Sequence, residues 1–534
     1  MTDSLLRLTD GLVESSSSDR QQVTIHYDVA TGNYTVNGGG RTQVFAARDR
    51  LAERIPGEAQ FQAANEFGGN DYLTLAPISY TDLSPNKYVA MGYWQDNKPG
   101  TGDQATKFYT FTYGFGTPAA AVPRIGVASY ATDIFGLLTT PGEKARTFEG
   151  PGQFDVDFGQ GIFSISGGMQ EFDVVGSGGQ STIYVGGGGD LASDGSFSGV
   201  FDYSGASGSM QGSFYGPAAE ELGASFLASN SIGTALNGAM TGRRDSALSP
   251  LNNLTLLNIT KSELFETWTN AVSIEAFDDG TPTRGGASTG ESDLGLLMTP
   301  GGPVSLQHTI GGFYDLAADT SQTRPNFTSY TGTYLRYDGT TPLQDPVHAD
   351  FYNPGSSNSE LALTYTSFAS WRTHSDETLD VGQIGHRDDT YFSVFGIKPS
   401  STFLAGMTGT ATYAGVAYGA GVTNGGNRYD IHGTSDFTVD FSGGTYSGSL
   451  QLSGTDATSA MRDFGRFDFA SSLTGGGFQP AFVPGPDANF DQTVRPHFYG
   501  PQGQEIGATF NLITGLFADP TTVQIAGVAL ARKK

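Results

Sequence analysis

The sequence predicts an all-β protein in which one domain occurs twice. The phrase that begins at Phe214 and ends at Phe226 recurs, with substitutions, from Phe498 to Phe510, 284 residues later. Glycine contributes 76 of the 534 residues, and aromatic residues make up 12% of the chain. This mixture favours many short strands joined by tight turns. Because the chain is also too long for one hydrophobic core, we expect two tandem lobes of similar fold.

Two further motifs repeat in the same order. Gly126–Tyr130 matches Gly409–Tyr413, and Phe154–Phe158 matches Phe437–Phe441, both at an offset of 283 residues. The stretch between the two copies is rich in Ser, Gly, Asn and Leu, which is typical of a connector. These observations predict a boundary between the lobes near residue 250.

Short segments of alternating polar and apolar residues dominate the chain. They are bounded by Gly, Asp, Ser and Pro, which predicts antiparallel strands in a barrel or a sandwich. Three stretches have a helical or turn-like pattern instead: Ser4–Glu14, Ile259–Ala271 and the short Ala218–Leu222. The predicted strands are Val23–Asp28, Asn33–Val36, Phe108–Phe115, Gly126–Tyr130, Phe154–Phe158, Ile162–Ser166, Ser196–Tyr203, Ser209–Phe214, Ser435–Phe441, Thr445–Leu452, Phe464–Ala470, Val494–Tyr499 and Ala508–Ile513.

Composition and charge exclude several classes of function. The formal net charge of −26 repels phosphate backbones, so nucleic acid is not an expected partner. The absence of cysteine excludes disulfides and thiolate metal sites. No segment reaches the roughly 18–20 apolar residues of a transmembrane helix. Met1–Asp19 also lacks the basic start and apolar middle of a signal peptide. Either the protein is made without an export signal or, as we expect, one was removed.

The repeated phrase Phe-Tyr-Gly-Pro-x-x-x-Glu-(Leu/Ile)-Gly-Ala-x-Phe resembles the terminal strand pair of the barrels in the transferrin-binding protein B family. The resemblance implies that each lobe pairs a sheet-rich handle domain with an eight-stranded antiparallel β-barrel. It also implies a bilobed bacterial surface lipoprotein or solute-binding protein. The predicted domains are a tether over 1–20, an N-lobe handle over 21–115, an N-lobe barrel over 116–229, a linker over 230–262, a C-lobe handle over 263–395 and a C-lobe barrel over 396–534.

The residues of the repeated phrase are interpreted as structural. Gly216 and Gly500, each before a proline, suit a tight corner, and a glycine in the following strand permits close packing against a neighbour. Both copies have a glutamate at the same position of the phrase, and its carboxylate is suited to accept hydrogen bonds from backbone amides or to bind a cation. The predicted structural motif comprises Phe214, Tyr215, Gly216, Pro217, Glu221, Gly223, Phe498, Tyr499, Gly500, Pro501, Glu505 and Gly507.

Apolar residues in two predicted loops of the first lobe are candidate partner-binding anchors. One run follows the strand that ends at Tyr130, and an aromatic pair ends the predicted handle just before a polar run. Rigid aromatic side chains beside polar loops are frequent anchors of protein contacts. The alternative is that both segments are strands that continue into the core. The candidate anchors are Tyr93, Trp94, Ile134, Phe135, Leu137 and Leu138.

The chain carries no recognisable catalytic motif, so the sequence predicts a binding protein and not an enzyme. No cofactor is expected. His374 and His386 lie on either side of a predicted loop rich in acidic residues, and one interpretation is that they are ligands of a haem or a metal ion. Scattered surface histidines are the simpler interpretation.

Resemblance and composition together predict a non-catalytic exported protein at the bacterial cell surface, on the outer membrane, or secreted. Such a protein captures a nutrient-bearing protein or small-molecule cargo, such as a haem or iron carrier, for uptake by an outer-membrane transporter. The strongly acidic, cysteine-free chain departs from relatives that capture transferrin, so transferrin itself is not predicted. The alternative is a structural or adhesive surface protein that uses its two barrels as rigid spacers.

Overall fold

The chain divides into two compact units, Met1–Leu251 and Asn252–Lys534, here called the N-lobe and the C-lobe. The computed structural model describes all residues except 54, 77–85, 175–181, 290–294, 309–310, 339–340, 379–382, 400–403, 405 and 488–489. The predicted fold class is confirmed: each lobe consists of a sheet-rich handle followed by an antiparallel barrel.

The N-lobe handle contains a six-stranded sheet and a three-stranded sheet. The larger sheet has the order β2-β1-β9-β8-β7-β6, and the smaller one the order β3-β4-β5. Two short 3-10 turns, Ala47–Asp49 and Ala119–Ala121, connect strands. The strands are β1 Thr2–Arg7, β2 Val13–Ser18, β3 Val23–Asp28, β4 Asn33–Gly38, β5 Arg41–Phe45, β6 Ala59–Ala64, β7 Asn70–Ala76, β8 Val89–Pro99 and β9 Asp103–Gly114.

The N-lobe barrel closes through eight consecutive strands, because the last strand pairs with the first. Alternate residues point inward and fill the barrel with aromatic rings, among them Phe154, Phe197 and Phe214, which lie within 6.5 Å of one another. The strands are β10 Val127–Thr139, β11 Arg146–Asp157, β12 Ile162–Asp173, β13 Thr182–Leu191, β14 Ser196–Tyr203, β15 Ala206–Tyr215, β16 Glu221–Ser229 and β17 Ala235–Arg244.

The C-lobe handle is a single sheet in the order β19-β18-β20-β21-β22-β23-β24-β25-β26, and β26 pairs back onto β18. Its core lies around Phe265, Trp371 and Phe395. The strands are β18 Glu263–Phe277, β19 Arg284–Thr289, β20 Gly295–Thr299, β21 Gly302–His308, β22 Gly311–Ala318, β23 Phe327–Asp338, β24 Thr341–Tyr352, β25 Thr366–Thr378 and β26 Ile384–Gly396.

The C-lobe barrel repeats the N-lobe barrel with one difference. Its strand order is β31-β30-β29-β28-β27-β35-β34-β33-β32, so the two short strands β31 and β32 lie at the two ends of the sheet, in the position that β14 has in the N-lobe. Among the described residues no strand pairing joins β31 to β32. The strands are β27 Thr410–Thr423, β28 Arg428–Asp440, β29 Thr445–Asp456, β30 Met461–Thr474, β31 Gly477–Phe478, β32 Ala481–Phe482, β33 Thr493–Tyr499, β34 Glu505–Ile513 and β35 Val523–Lys533.

Two predicted connecting segments are integral parts of the lobes. Residues 1–20 do not form a tether, because β1 pairs with β9 and β2 pairs with β1. The hydroxyl of Ser16 donates to the carbonyl oxygens of Thr139 and Gly233 in the barrel, which holds this serine-rich strand in place. Residues 230–262 are not only a linker either, because β17 closes the N-lobe barrel.

The two predicted helices are strands. Ser4 lies in β1, and most of Ile259–Ala271 lies in β18. In β18 the neighbours Leu264 and Phe265 point to opposite faces, since Leu264 is 57% exposed and Phe265 is buried. Pairing with β20 and β26 satisfies the backbone of this segment, so tertiary context overrides its helical pattern. Within the described residues, no helix combines the length and the hydropathy needed to cross a membrane.

Candidate functional site

The repeated motif joins the handle to the barrel in each lobe. Glu505, at the start of β34, is buried, and its carboxylate accepts hydrogen bonds from the amides of Thr364, Tyr365 and Thr366 at 2.7, 2.9 and 2.9 Å. Burial raises the pKa of Glu505 to about 7, although the three amides act in the opposite direction. The acidic position of the motif therefore binds backbone amides, and no cation is needed to explain it.

The glycines of the motif permit a close approach between the two domains. Gly216 and Gly500 have φ angles of 84° and 83°, in the left-handed region that favours glycine. A Cβ atom at Gly216 would lie 2.7 Å from Cδ2 of Tyr88, and one at Gly500 would lie 2.6 Å from Cδ2 of Tyr365. The absence of a side chain at each glycine thus makes room for a tyrosine of the handle, and the same contact occurs in both lobes.

The rest of the motif forms the barrel wall on either side of this turn. Phe214 and Phe498 point into their barrel cores, whereas Gly223 and Gly507 face the handle. The hydroxyl of Tyr215 lies 3.4 Å from that of Thr112 in β9. Tyr499 is fully buried, and Pro217 and Pro501 follow the glycine at the turn.

The predicted partner anchors are not exposed. Trp94 and Ile134 have no exposed surface, and Phe135, Leu137 and Leu138 are 7–8% exposed. The expectation that they form a surface patch is wrong, because β10 is buried on both faces. Ile134 and Leu138 point into the barrel core, whereas Phe135 and Leu137 point towards the handle.

Three of the aromatic residues in this region close the seam between the N-lobe handle and barrel. Tyr93 stacks on Phe135 with ring centroids 5.1 Å apart, and its other neighbour, Phe108, lies at 5.3 Å. Met91 and Leu137 complete the cluster. We call Tyr93, Phe108 and Phe135 the N-lobe plug, because together they fill the space between the two domains.

The two histidines that were considered as metal or haem ligands lie on paired strands. His374 in β25 lies opposite Asp388 in β26, and its Nδ1 is 2.7 Å from the Asp388 carboxylate. This hydrogen bond raises the pKa of His374. The ring of His386 lies 5.3 Å from that of His374. Among the described residues, no group of three or more His, Asp and Glu side chains is arranged to hold a metal ion.

The best candidate for contact with a partner is an aromatic groove on the N-lobe handle, with a volume of about 660 Å³. It lies where β3 and β4 meet the start of β8 and the end of β9. Aromatic rings and aliphatic side chains form most of its surface, and Lys87 is the only charged residue among the described residues that line it. We define the aromatic groove by Ile25, Tyr27, Tyr34, Tyr88, Tyr113 and Phe115.

The groove combines exposed rings with a rigid base. Tyr27 and Phe115 are 48% and 78% exposed. The ring of Tyr27 packs 4.7 Å from that of Tyr34, which itself packs against the buried Phe61 at 5.3 Å. Phe115 is held through its backbone: its amide donates to Tyr88, and its carbonyl accepts from Gly216. The ring of Tyr27 and the backbone of Phe115 are therefore held in place, and both rings are accessible to solvent.

Burial keeps the inner tyrosines of the groove neutral. The pKa of Tyr34 is raised by burial and by neighbouring Tyr27, and the pKa of Tyr113 is raised by burial and by Tyr34. Neutral phenols offer apolar faces together with one hydroxyl each, the combination that makes tyrosine frequent in protein interfaces. The groove is therefore suited to an apolar protein segment.

Sequence reasoning placed Tyr27 and Tyr34 in the correct hairpin but did not single them out. Tyr27 and Tyr34 are directly opposite in the β3–β4 pair, and an aromatic pair across two predicted strands was a usable signal. Phe115 could not be found in this way, because its exposure depends on the turn that leads from β9 into the barrel.

Comparison with known proteins supports the predicted resemblance. Residues 406–533 match the family model described as the C-lobe and N-lobe beta barrels of Tf-binding protein B. No curated protein sequence matches the chain. The resemblance to the transferrin-binding protein B family is thus confirmed at the C-lobe barrel, and the internal repeat carries the same motif into the N-lobe.

Solved structures of this family are similar to the chain over most of its length. A transferrin-binding protein B double mutant from Haemophilus parasuis Hp5 has 17% identity and a TM-score of 0.26, covering 99% of this chain and 95% of that one. The isotype 1 protein from serogroup B Neisseria meningitidis has 16% identity and a TM-score of 0.21, covering 86% of this chain and 89% of that one.

Proposed function

We propose that this protein is a non-catalytic binding protein of the bacterial cell surface that captures an iron- or haem-bearing carrier protein through the aromatic groove of its N-lobe handle. The observation that carries the proposal is the pair of exposed rings, Tyr27 and Phe115, fixed on a rigid base. The related proteins are named for binding transferrin, which supports a carrier protein as the class of partner. Delivery of the cargo to an outer-membrane transporter is part of the same proposal.

The edge of the small sheet supports a protein partner over a small molecule. Among the described residues, β3 pairs with β4 and with no second strand, and its residues Ile25 and Tyr27 line the groove. A free edge offers unpaired backbone groups to an incoming extended segment. The occupant that fits is an extended segment of the carrier with apolar side chains, seated against the tyrosines and paired along β3.

Binding of purified full-length chain to carriers in iron-loaded and iron-free forms tests the proposal. Biolayer interferometry with iron-loaded transferrin, iron-free transferrin and haemoglobin would provide the panel. We expect at least one loaded carrier to bind. Replacement of Tyr27 and Phe115 by Ser should weaken that binding at least tenfold, which needs only about 1.4 kcal/mol and is modest for aromatic anchors.

Tyr184→Ser is the matched control, because Tyr184 is 80% exposed on the N-lobe barrel but lies outside the groove. This variant should bind like the parent chain. The proposal fails if no carrier binds, or if Tyr184→Ser weakens binding as much as the groove variants do. Equal binding by the groove variants and the parent would also contradict it.

A further inference from the structure

The two lobes differ at the positions equivalent to the N-lobe plug, and the C-lobe has a pocket there. The equivalence follows from strand register and stacking. Trp94 stacks on Tyr109 at 4.8 Å across the β8–β9 pair, and Trp371 stacks on Tyr391 at 5.0 Å across the β25–β26 pair. Tyr93, which precedes Trp94, therefore corresponds to Ser370, which precedes Trp371.

The remaining members of the N-lobe plug can be placed in the same way. Phe108 precedes Tyr109 and so corresponds to Thr390. In the barrels, the hydroxyls of Tyr130 and Tyr413 donate to Ala219 and Gly503, respectively, at the same turn of each repeat. Phe135 lies five residues after the first tyrosine, and Tyr418 lies five residues after the second. The residues of the N-lobe plug, Tyr93, Phe108 and Phe135, thus correspond to Ser370, Thr390 and Tyr418 in the C-lobe.

By the same register Met91 and Thr110 correspond to Phe368 and Phe392, so rings change position between the two lobes, and the C-lobe has a pocket of about 400 Å³ between its handle and barrel. Phe368, Phe392 and Tyr418 supply an apolar wall, and the pocket has the size of many small-molecule sites. In the N-lobe this seam is closed by ring stacking. The N-lobe has a cavity between handle and barrel at a different place, lined by Thr110, Tyr215 and Gly223, so the position and lining of the C-lobe pocket are particular to the C-lobe.

Three arginines line the opened seam of a chain that carries a net charge of −26. Arg372 and Arg428 both bond to one carboxylate, Asp430, at 3.1 and 3.2 Å. Arg428 also donates to the hydroxyl of Thr390. Two guanidinium groups that share one carboxylate leave one positive charge. Burial and the neighbouring charge of Arg372 lower the pKa of Arg428, and an anion placed beside the two guanidinium groups would offset the repulsion between them.

Carboxylates at the border of the pocket already have partners of their own. Asp350 bonds to Arg324 at 2.9 Å, and Asp388 bonds to His374 at 2.7 Å. Glu360 accepts the hydroxyl of Tyr418. His348 lies 3.4 Å from Asp350 and 3.7 Å from Asp319. The guanidinium pair of Arg372 and Arg428 therefore remains the strongest centre for a negatively charged group.

We infer that this arginine pocket binds a small organic anion, in which a carboxylate or phosphate group contacts Arg372 and Arg428 and an apolar ring packs against Phe368, Phe392 and Tyr418. The planar guanidinium group recognises both oxyanions through paired hydrogen bonds. The apolar wall adds contact area for the ring. This site is separate from protein capture by the N-lobe, and it gives the C-lobe a small-molecule function of its own.

Isothermal titration calorimetry on the full chain tests the inference with four probes: benzoate, phenyl phosphate, inorganic phosphate and benzylamine. We expect one molecule of benzoate or phenyl phosphate to bind per chain, and more tightly than inorganic phosphate or the benzylammonium cation. Arg372→Gln and Arg428→Gln should each weaken binding at least tenfold. Ser370→Tyr restores the N-lobe residue and should abolish binding, because its ring would fill the pocket.

Arg466→Gln is the matched control, because Arg466 pairs with Asp468 on the surface of the C-lobe barrel, outside the pocket. It should bind like the parent. Binding of neither anion at about 10 mM, equal binding of benzylamine, an equal loss in Arg466→Gln or full binding by Ser370→Tyr would each overturn the inference. If Ser370→Tyr unfolds at a lower temperature than the parent, its loss of binding does not count, and the inference is judged on Arg372→Gln and Arg428→Gln. Unchanged carrier capture by Arg428→Gln would show that the two sites are independent.

Discussion

Glu221 accepts a hydrogen bond from the backbone amide of Tyr88 at 2.7 Å, which joins the first strand after the Gly-Pro turn directly to the handle. The same carboxylate accepts the amides of Lys87 at 2.6 Å and Val89 at 3.0 Å. Glu505 makes the equivalent three bonds in the C-lobe. A single buried side chain in each lobe therefore satisfies three consecutive backbone donors and fixes the barrel to its handle.

Replacement of either glutamate by alanine should destabilise its own lobe. Each change removes the acceptor of three consecutive amides, of which Val89 in the N-lobe and Tyr365 and Thr366 in the C-lobe make buried hydrogen bonds. At about 1–3 kcal/mol for each buried unsatisfied group, we expect a loss of roughly 1–3 kcal/mol for Glu221→Ala and roughly 2–6 kcal/mol for Glu505→Ala. Each variant is the control for the other. Glu221→Ala should lower the unfolding temperature of the N-lobe only, and Glu505→Ala that of the C-lobe only. Hydrogen exchange should accelerate at residues 87–89 in the first variant and at 364–366 in the second. Unchanged exchange at these amides would contradict the assignment.

Alanine at Gly216 should cost more than alanine at an ordinary left-handed glycine. Gly205 has a φ of 82° and open space around its Cα, so Gly205→Ala measures the backbone term alone, about 1–2 kcal/mol. Gly216→Ala adds a clash with Tyr88, and overpacking of this kind costs about 1–3 kcal/mol more. Denaturant unfolding of the two variants provides the comparison. Equal losses would show that the tyrosine moves away without cost.

Truncation of the buried motif phenylalanines should destabilise each barrel without a direct effect on binding. Phe214 packs against Tyr130 and Phe197, and Phe498 packs against Phe441 and lies 4.1 Å from the ring of Phe478. Phe214→Ala and Phe498→Ala should each lose about 3–5 kcal/mol, the usual cost for a buried phenylalanine. A variant that melted like the parent but lost carrier binding would instead identify the motif as a binding site.

The parts of the fold that the sequence predicted are those with a local signal. The barrel strands alternate between polar and apolar residues, and Gly216-Pro217 is a typical turn sequence. Both features can therefore be recognised in the amino-acid sequence alone. The first strand, by contrast, is stabilised by β9, about a hundred residues away. The serine-rich segment Val13–Ser18 pairs with this first strand, and Ser16 also bonds to the distant Thr139 and Gly233, so its place in the sheet depends on tertiary contacts as well.

Burial of Ile134–Leu138 could have been predicted from its unbroken apolar run. Such a run is typical of a strand that is covered on both faces, and β10 has the barrel core on one side and the handle on the other. The arginine pocket could not be predicted. Its residues come from separate strands, and the exchange of Tyr93 for Ser370 is visible only after the handles are aligned by their register.

The C-lobe should lose stability in acid because of His497. The ring of His497 in β33 stacks on Trp268 of the handle at 4.2 Å, and burial together with the charges of Lys398 and Arg495 lowers its pKa to about 3. The nearby carboxylate of Glu266 opposes this shift, but only in part. In the unfolded chain a histidine has a pKa of about 6.5, so the unfolded state takes up the proton first as the pH falls.

The stability that His497 contributes is therefore complete above about pH 6.5 and is lost as the pH falls towards 3, with a magnitude of at most about 5 kcal/mol. Glu505 acts in the opposite sense, since its raised pKa makes stability fall as the pH rises from about 4.5 to 7.

The difference in unfolding free energy between the parent and His497→Ser isolates the histidine, because Glu505 is common to both. That difference, measured by urea unfolding across this range, should shift in favour of the variant as the pH falls below about 6.5. His26→Ser in the exposed β3 strand is the matched control. A pH-independent difference for His497→Ser would mean that this ring is protonated as readily in the folded lobe as in the unfolded chain.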